Sequence, residues 1–267
     1  MSGYAQLLWD GYIPTEVSVS LQDVTSDRIP DPYYVLLPRM SYLCIAAAEC
    51  IDHFRADVID AEQTIWFEFN TLPLKGHLPI GVLYDCCDTQ DLPWKLTIHF
   101  LQHHGEQCMR LNTIQDGQRL LSHSLKQATY LIHGNTRPFT SLTIKEHEQL
   151  TQALQSGIAD EYEEVVKDIR DGVVPRTVPL RIVVPGKPIC QRHVEVYATT
   201  NELQSTEGNS GQLITLREVC DSFLPSLKVI PRRTIVQGVE IDLTVPVYPL
   251  WLKFSHPDLF LYVIVLV

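Results

Sequence analysis

The sequence predicts an α+β protein in which two strand–strand–helix–strand modules flank a helix-rich segment. Three observations carry this reading. Apolar residues alternate at period two near the start of the chain, do so again after Pro175, and between these stretches recur at the period of a helix.

The elements follow in order. Val17, Val19 and Leu21 alternate with Glu16, Ser18 and Ser20, which marks a half-buried strand. Tyr33 to Leu37 is an unbroken apolar run and suits a central strand. Pro38 can open a helix, whose apolar face carries Leu43, Ala47, Cys50 and Phe54. Strand signals recur at Ile65 to Phe69, at Ile80 to Tyr84, and at Leu96, Ile98 and Phe100, with turns marked by Pro73, Gly76 and Pro93.

In the middle of the chain, Leu121, Leu125, Ala128 and Ile132 share one face of a helix that stops at Gly134. Thr143 and Glu146 form a capping box for a second helix bearing Ile144, His147, Leu150 and Leu154 and ending at Gly157. Ile158, Tyr162, Val165 and Ile169 line a third, with Gly172 beyond it. After Pro175, Leu180, Ile182 and Val184 form a strand, Pro185 and Gly186 turn the chain, and Val194 and Val196 sit on a second strand. Thr215 and Glu218 cap a helix carrying Leu216, Val219 and Phe223. Pro225 follows that helix, then a strand at Thr234 to Val236, a short segment around Trp251 and a last strand from Leu259 to Val267. This order is that of the ubiquitin-like, or β-grasp, fold, and it occurs twice. The expected domains are 1–105, 106–175 and 176–267.

Composition narrows the function. The chain has 267 residues, 45% hydrophobic and 20% charged, with a formal net charge of −11. The acidity is concentrated in residues 1–105, and no basic stripe offers itself to a phosphate backbone, so nucleic acid is not an expected partner. No apolar run reaches the roughly 20 residues of a membrane-spanning helix, and Met1 to Asp10 does not read as a signal peptide. Membrane contact is expected to be peripheral. Seven cysteines at irregular spacing, most among apolar neighbours, read as free thiols in the cytoplasm.

Motifs of catalysis are missing. Gly186-Lys187-Pro188 lacks the glycine loop and hydroxyl of a nucleotide site. Cys86 and Cys87 are adjacent, and His103-His104 has no spaced partner, so neither reads as a zinc site. No cysteine stands beside a basic cluster that would lower its pKa, and core packing accounts for each. No catalytic residue, metal or cofactor is expected.

Lys126 lies about 130° around its helix from the centre of the apolar stripe, so its amine is expected in water. Arg119, His123 and Tyr130 share that outer face and form a candidate partner surface. Geometry alone describes a solvated lysine.

Several stretches resemble the autophagy protein 5 family: Pro32–Leu43 (PYYVLLPRMSYL), Trp66–Asn70 (WFEFN), Leu72–Lys75 (LPLK), Pro79–Leu83 (PIGVL) and Leu92–Phe100 (LPWKLTIHF). Ser124–Ala128 (SLKQA) resembles the family's conjugation helix, and the C-terminal part matches more loosely through its strands and Trp251-Leu252. The chain departs from the pattern at Gly76, His77 and Leu78, where relatives carry Trp-His-Tyr, and at Gln127, where an acid is common.

The resemblance implies two ubiquitin-like domains around a helix-rich one and a non-catalytic scaffold of autophagosome formation. Autophagy protein 12, a ubiquitin-like modifier, would be joined to Lys126 by an isopeptide bond. The N-terminal helix of autophagy protein 16 would bind in a groove among the three domains. The complex would act like an E3, stimulating the E2 that transfers autophagy protein 8 to phosphatidylethanolamine, with recruitment from cytoplasm to the phagophore. A modifier needs a free C-terminal glycine, and Leu259 to Val267 has none, so the expected role is acceptor. Two other readings stand beside this one: a cytosolic thiol hydrolase and a helix-binding adaptor that is never conjugated.

Overall fold

The computed structural model describes residues 3–26, 28–58, 65–89, 91–100, 112–170, 174–198, 212–227 and 230–267. Cys108, the pair His103-His104 and the helix stop expected at Gly172 lie outside them. The chain divides into two units, residues 1–123 with 143–165, and residues 124–142 with 166–267.

The first unit opens with α1 (Gly3–Trp9), β1 (Tyr12–Val19), β2 (Tyr33–Pro38), α2 (Leu43–Ala46) and α3 (Ala48–Phe54). It continues with β3 (Trp66–Phe69), β4 (Leu72–Pro73), α4 (Ile80–Cys86) and β5 (Trp94–His99). Its sheet has the order β2-β1-β5-β3-β4. The first and last strands pair in parallel, Thr15 opposite Trp94 and Val19 opposite Ile98, and every other pairing is antiparallel. A parallel neighbour cannot be reached by a tight turn, so chain must cross over, and α2 and α3 lie in that connection. The apolar face expected of the crossover is buried, with Leu43, Ala47, Cys50 and Phe54 all inside. Trp94 and Phe100 are also fully buried.

Four expectations need correction here. Ile80 to Tyr84 is helical, not a strand. Pro79 stands at its N-cap in extended backbone, and Ile80, Val82 and Leu83 are all buried. A short apolar run buried on every side has no period by which helix and strand can be told apart. Tyr33 to Leu37 is an edge strand, not a central one, and Tyr34 and Leu36 are exposed. Pro38 closes that strand, and the helix begins at Leu43 and is interrupted at Ala47. Leu21 lies beyond β1 and is exposed.

Arg39 joins two of the stretches quoted above. Its Nη2 donates to both carboxylate oxygens of Asp85, at 2.7 and 2.6 Å. Its carbonyl accepts the Gly81 N–H at 2.9 Å, and a Cβ at Gly81 would stand 3.1 Å from that oxygen. Glycine permits the close approach.

The helical segment holds α5 (Ile114–His133), α6 (Arg137–Thr140), α7 (Ile144–Ser156) and α8 (Ala159–Arg170). Helices α5 and α8 each run across the division between the units. In the first unit, Gly117 lets α5 close on α2, since a Cβ there would lie 2.5 Å from Ile45. The Thr143–Glu146 capping box forms in full, and Gly157 ends α7 in the left-handed region at φ 71°. Ile144, read as part of the inner face, is 77% exposed because it precedes the first turn that packs.

The second unit repeats the first sheet's topology with β6 (Thr177–Val183), β7 (Cys190–Glu195), α9 (Leu216–Leu227), β8 (Arg233–Val236), β9 (Val239–Glu240), α10 (Val247–Phe254) and β10 (Leu261–Leu266). The order is β7-β6-β10-β8-β9, with β6 and β10 parallel, Leu180 opposite Leu261. Every residue of β10 is buried, as a central strand covered on both faces requires. Trp251 is buried in α10 and donates its indole N–H to the Leu259 carbonyl at 2.8 Å. Helix α9 runs through Pro225 to Leu227, so the proline does not end it.

The caps predict a pH dependence. Thr143 and Thr215 each donate backbone N–H and hydroxyl to a glutamate, and these bonds hold the Glu146 and Glu218 carboxyls below their usual range. A carboxyl lowered in the folded state stabilises fully above the ordinary value of about 4.3, and loses that contribution as pH falls through its folded value. A chain carrying Glu146→Gln and Glu218→Gln is expected to melt below wild type at pH 6, with the gap narrowing at pH 3. A gap that is the same at both values would contradict this.

Candidate functional site

Lys126 projects from the exposed side of α5. Leu121, Leu125, Ala128 and Ile132 form the buried stripe, while Arg119, His123, Lys126, Gln127 and Tyr130 are exposed. Spacings of three and four residues put these side chains on neighbouring turns of one helix. Arg119 is partly engaged, its Nη1 lying 3.3 Å from Asp116 one turn earlier. Tyr130, 58% exposed, is a large amphipathic ring in water four residues after the lysine.

The second unit's part of α5 is held from its inner side. Ser124, two residues before the lysine, is buried and accepts from Nη2 of Arg181 on β6 at 3.5 Å. Thr177, at the start of β6, donates its hydroxyl to the Leu131 carbonyl at 2.6 Å. That carbonyl belongs to the last turn of α5, where no amide of the helix can reach it, so a strand side chain caps the helix end. His133, the last residue of α5, bonds through Nε2 to the Ile169 carbonyl of α8 at 2.6 Å. These contacts leave the lysine side of the helix open.

Arg181 itself is the centre of a buried polar cluster. Its Nη1 meets the Asp258 carboxylate at 2.8 Å and also donates to the Tyr262 hydroxyl. Tyr262 donates in turn to Asp258 at 2.7 Å, and the Phe260 N–H reaches the second carboxylate oxygen at 3.1 Å. The guanidinium lies 3.7 Å over the Phe260 ring, and its Nε donates to Gln191 at 2.9 Å. Asp258 is 0% exposed; burial pushes its carboxyl up, and Arg181 draws it back down. Sequence reasoning missed this cluster. Arg181 was legible only as the polar member of an alternating strand, and Asp258 lies 77 positions away.

Five of the thiols sit where burial disfavours the thiolate. Burial pushes Cys44, Cys50, Cys86 and Cys87 up to about 12, and Cys220 up to about 11. No group of three or more His, Cys, Asp or Glu side chains arranged to hold a metal occurs among the described residues. Among the same residues, no helix is long and apolar enough to cross a membrane.

Two five-stranded sheets of identical strand order, each with a crossover helix and separated in sequence by a helical segment, define a tandem ubiquitin-like protein. Family models agree segment by segment. Residues 8–100 match autophagy protein ATG5, UblA domain; residues 115–172 match its alpha-helical bundle region; residues 177–265 match its UblB domain. The chain belongs to the autophagy protein 5 family. It is 34% identical to autophagy protein 5 of Oryza sativa subsp. japonica over 163 residues, 59% of this chain and 42% of that protein. It is 26% identical to the Aspergillus fumigatus protein, over 99% of this chain and 95% of the relative. The matches to the rice and Arabidopsis thaliana proteins take in half of their length or less. The crystal structure of Kluyveromyces marxianus Atg5 shares the fold, with a TM-score of 0.82 at 20% identity over 99% of this chain.

Two outcomes follow from the geometry. Arg181→Ala leaves the Asp258 carboxylate buried without its guanidinium and is expected to cost about 3–5 kcal/mol in denaturant unfolding; an unchanged midpoint would contradict the placement. Iodoacetamide at pH 7.5 is expected to modify Cys44, Cys50, Cys86, Cys87 and Cys220 at least about a hundredfold more slowly than free cysteine, because so little of each is thiolate. Rapid labelling of any of the five, located by peptide mass mapping, would overturn that.

Proposed function

We propose that this chain is a non-catalytic scaffold of autophagosome formation and that Lys126 accepts autophagy protein 12 through an isopeptide bond. The observation that carries the proposal is the exposure of Lys126 on a helix pinned from its opposite side, within a segment resembling the family's conjugation helix. An acceptor amine must lose its proton and reach a thioester held by a conjugating enzyme, so it needs access and a fixed approach more than a buried base. Arg119, His123 and Tyr130 flank it as a surface for the incoming modifier or its enzyme.

The remaining parts of the reading are proposals of the same kind. The N-terminal helix of autophagy protein 16 is the non-covalent partner. The conjugate acts like an E3 toward the E2 that attaches autophagy protein 8 to phosphatidylethanolamine. The protein works in the cytoplasm and is recruited peripherally to the phagophore. The domains run 1–105, 106–175 and 176–267, in keeping with the three matched regions. The raised thiols weigh against a thiol hydrolase.

The test incubates wild type and Lys126→Arg with the modifier, its activating and conjugating enzymes and ATP. A band heavier by one modifier is expected for wild type alone. A shift in both proteins would move the acceptor to another lysine, and a shift in neither would favour the unconjugated adaptor.

A further inference from the structure

Two residues of one strand hold the stretch of α5 that carries Lys126. Thr177 and Arg181 stand four apart on β6, so strand alternation turns both to the same face, about 13 Å from each other. Thr177 donates to the Leu131 carbonyl at 2.6 Å, and Arg181 reaches the Ser124 hydroxyl at 3.5 Å. Ser124 and Leu131 are seven residues apart, which is about 10 Å along a helix and within about 20° of the same side. Lys126 lies between them and about 160° around the helix from Ser124. A single contact lets a helix swivel about it. Two contacts on one side, with the lysine between and opposite, fix both the rotation and the slide of that turn.

The strand is a firm base for both contacts. It is paired on either side, with Thr177 opposite Glu195 of β7 and Arg181 opposite Tyr262 of β10. Arg181 cannot follow a moving helix, because Asp258 and Tyr262 hold its guanidinium within the unit. Between the two anchors, Thr129 is fully buried and donates its hydroxyl to the Leu125 carbonyl at 2.7 Å. That carbonyl belongs to the peptide joining Leu125 to Lys126, so the backbone is also held where the lysine branches from it.

We propose that Thr177 and Arg181 are positioning residues for Lys126, acting through Leu131 and Ser124 to set the approach of its amine. The inference rests on the reading of Lys126 as the acceptor. In that transfer Nζ gives up a proton to water and bonds to the thioester carbonyl carbon. The carbon–sulfur bond breaks, and the enzyme's thiolate leaves. A nucleophile held slightly out of line loses rate in this step without losing the affinity that brought the partners together.

The test follows single-turnover conjugation of the full chain by enzyme already charged with the modifier, at a series of chain concentrations. Thr177→Val keeps the side chain's shape and removes the donor, and Thr177→Ser returns it. Thr177→Val is expected to lower the maximal rate about tenfold at unchanged half-saturation, with Thr177→Ser within about twofold of wild type. Adding Ser124→Ala to Thr177→Val, which leaves Arg181 its buried partners, is expected to lower the rate further. Hydrogen exchange at the amides from Lys126 to Leu131 is expected to quicken in Thr177→Val. A wild-type rate for Thr177→Val, a change confined to half-saturation, no rescue by Thr177→Ser, or unchanged exchange would each overturn the inference and leave the acceptor in place. Wild type that takes no modifier at Lys126 would instead overturn the acceptor reading, and this inference with it.

Discussion

One guanidinium holds the second unit to its share of α5. Arg181 leaves β6 with its charge buried and answers it with Asp258, Tyr262 and the face of Phe260, all from the loop and strand at the end of the chain. Its remaining nitrogen turns to Ser124 on α5. A buried ion pair adds little net stability over well-packed apolar residues, because desolvation consumes most of the attraction. What it adds is intolerance of misplacement: shifting β6, β10 or α5 strands a charge away from water. Thr177 reinforces the same join by capping α5 through Leu131. A lysine presented from such a helix has a defined direction.

The fold rests on a constraint that both sheets share. Pairing the first strand in parallel with the last forces a crossover, and the crossover helix covers one face of the sheet. The two modules meet this constraint with unlike side chains. Trp94 and Phe54 are fully buried in the first, Trp251 and Phe260 in the second. Arg39 with Asp85 anchors the first, and Arg181 with Asp258 the second. The duplication is therefore one of topology, and each copy is free to differ in its side chains.

What the sequence disclosed was local. Both capping boxes, the stop at Gly157 and the buried stripe of α5 follow from spacings of three or four residues, and each forms as expected. Other errors and omissions arose where the deciding neighbour is distant. Ile80 to Tyr84 is apolar enough for a strand, and its helix is settled by burial on every side. The edge position of β2 depends on which strand pairs with β1 on its other side, and a run such as Tyr33 to Leu37 carries no record of that. Asp258 shows no sign, in its own surroundings, of the arginine 77 positions earlier that neutralises it. At the candidate site, exposure of Lys126 was readable from helical geometry, whereas its suggested chemistry came from likeness to a family.

The account turns on that lysine, and the most direct measurement maps the bond itself. Wild-type chain conjugated to the modifier would be digested with trypsin and sequenced by tandem mass spectrometry. The expected result is one branched peptide in which cleavage is blocked after Lys126 and the modifier's C-terminal remnant is carried on its Nζ. A remnant on any other lysine, with Lys126 cleaved normally, would contradict it.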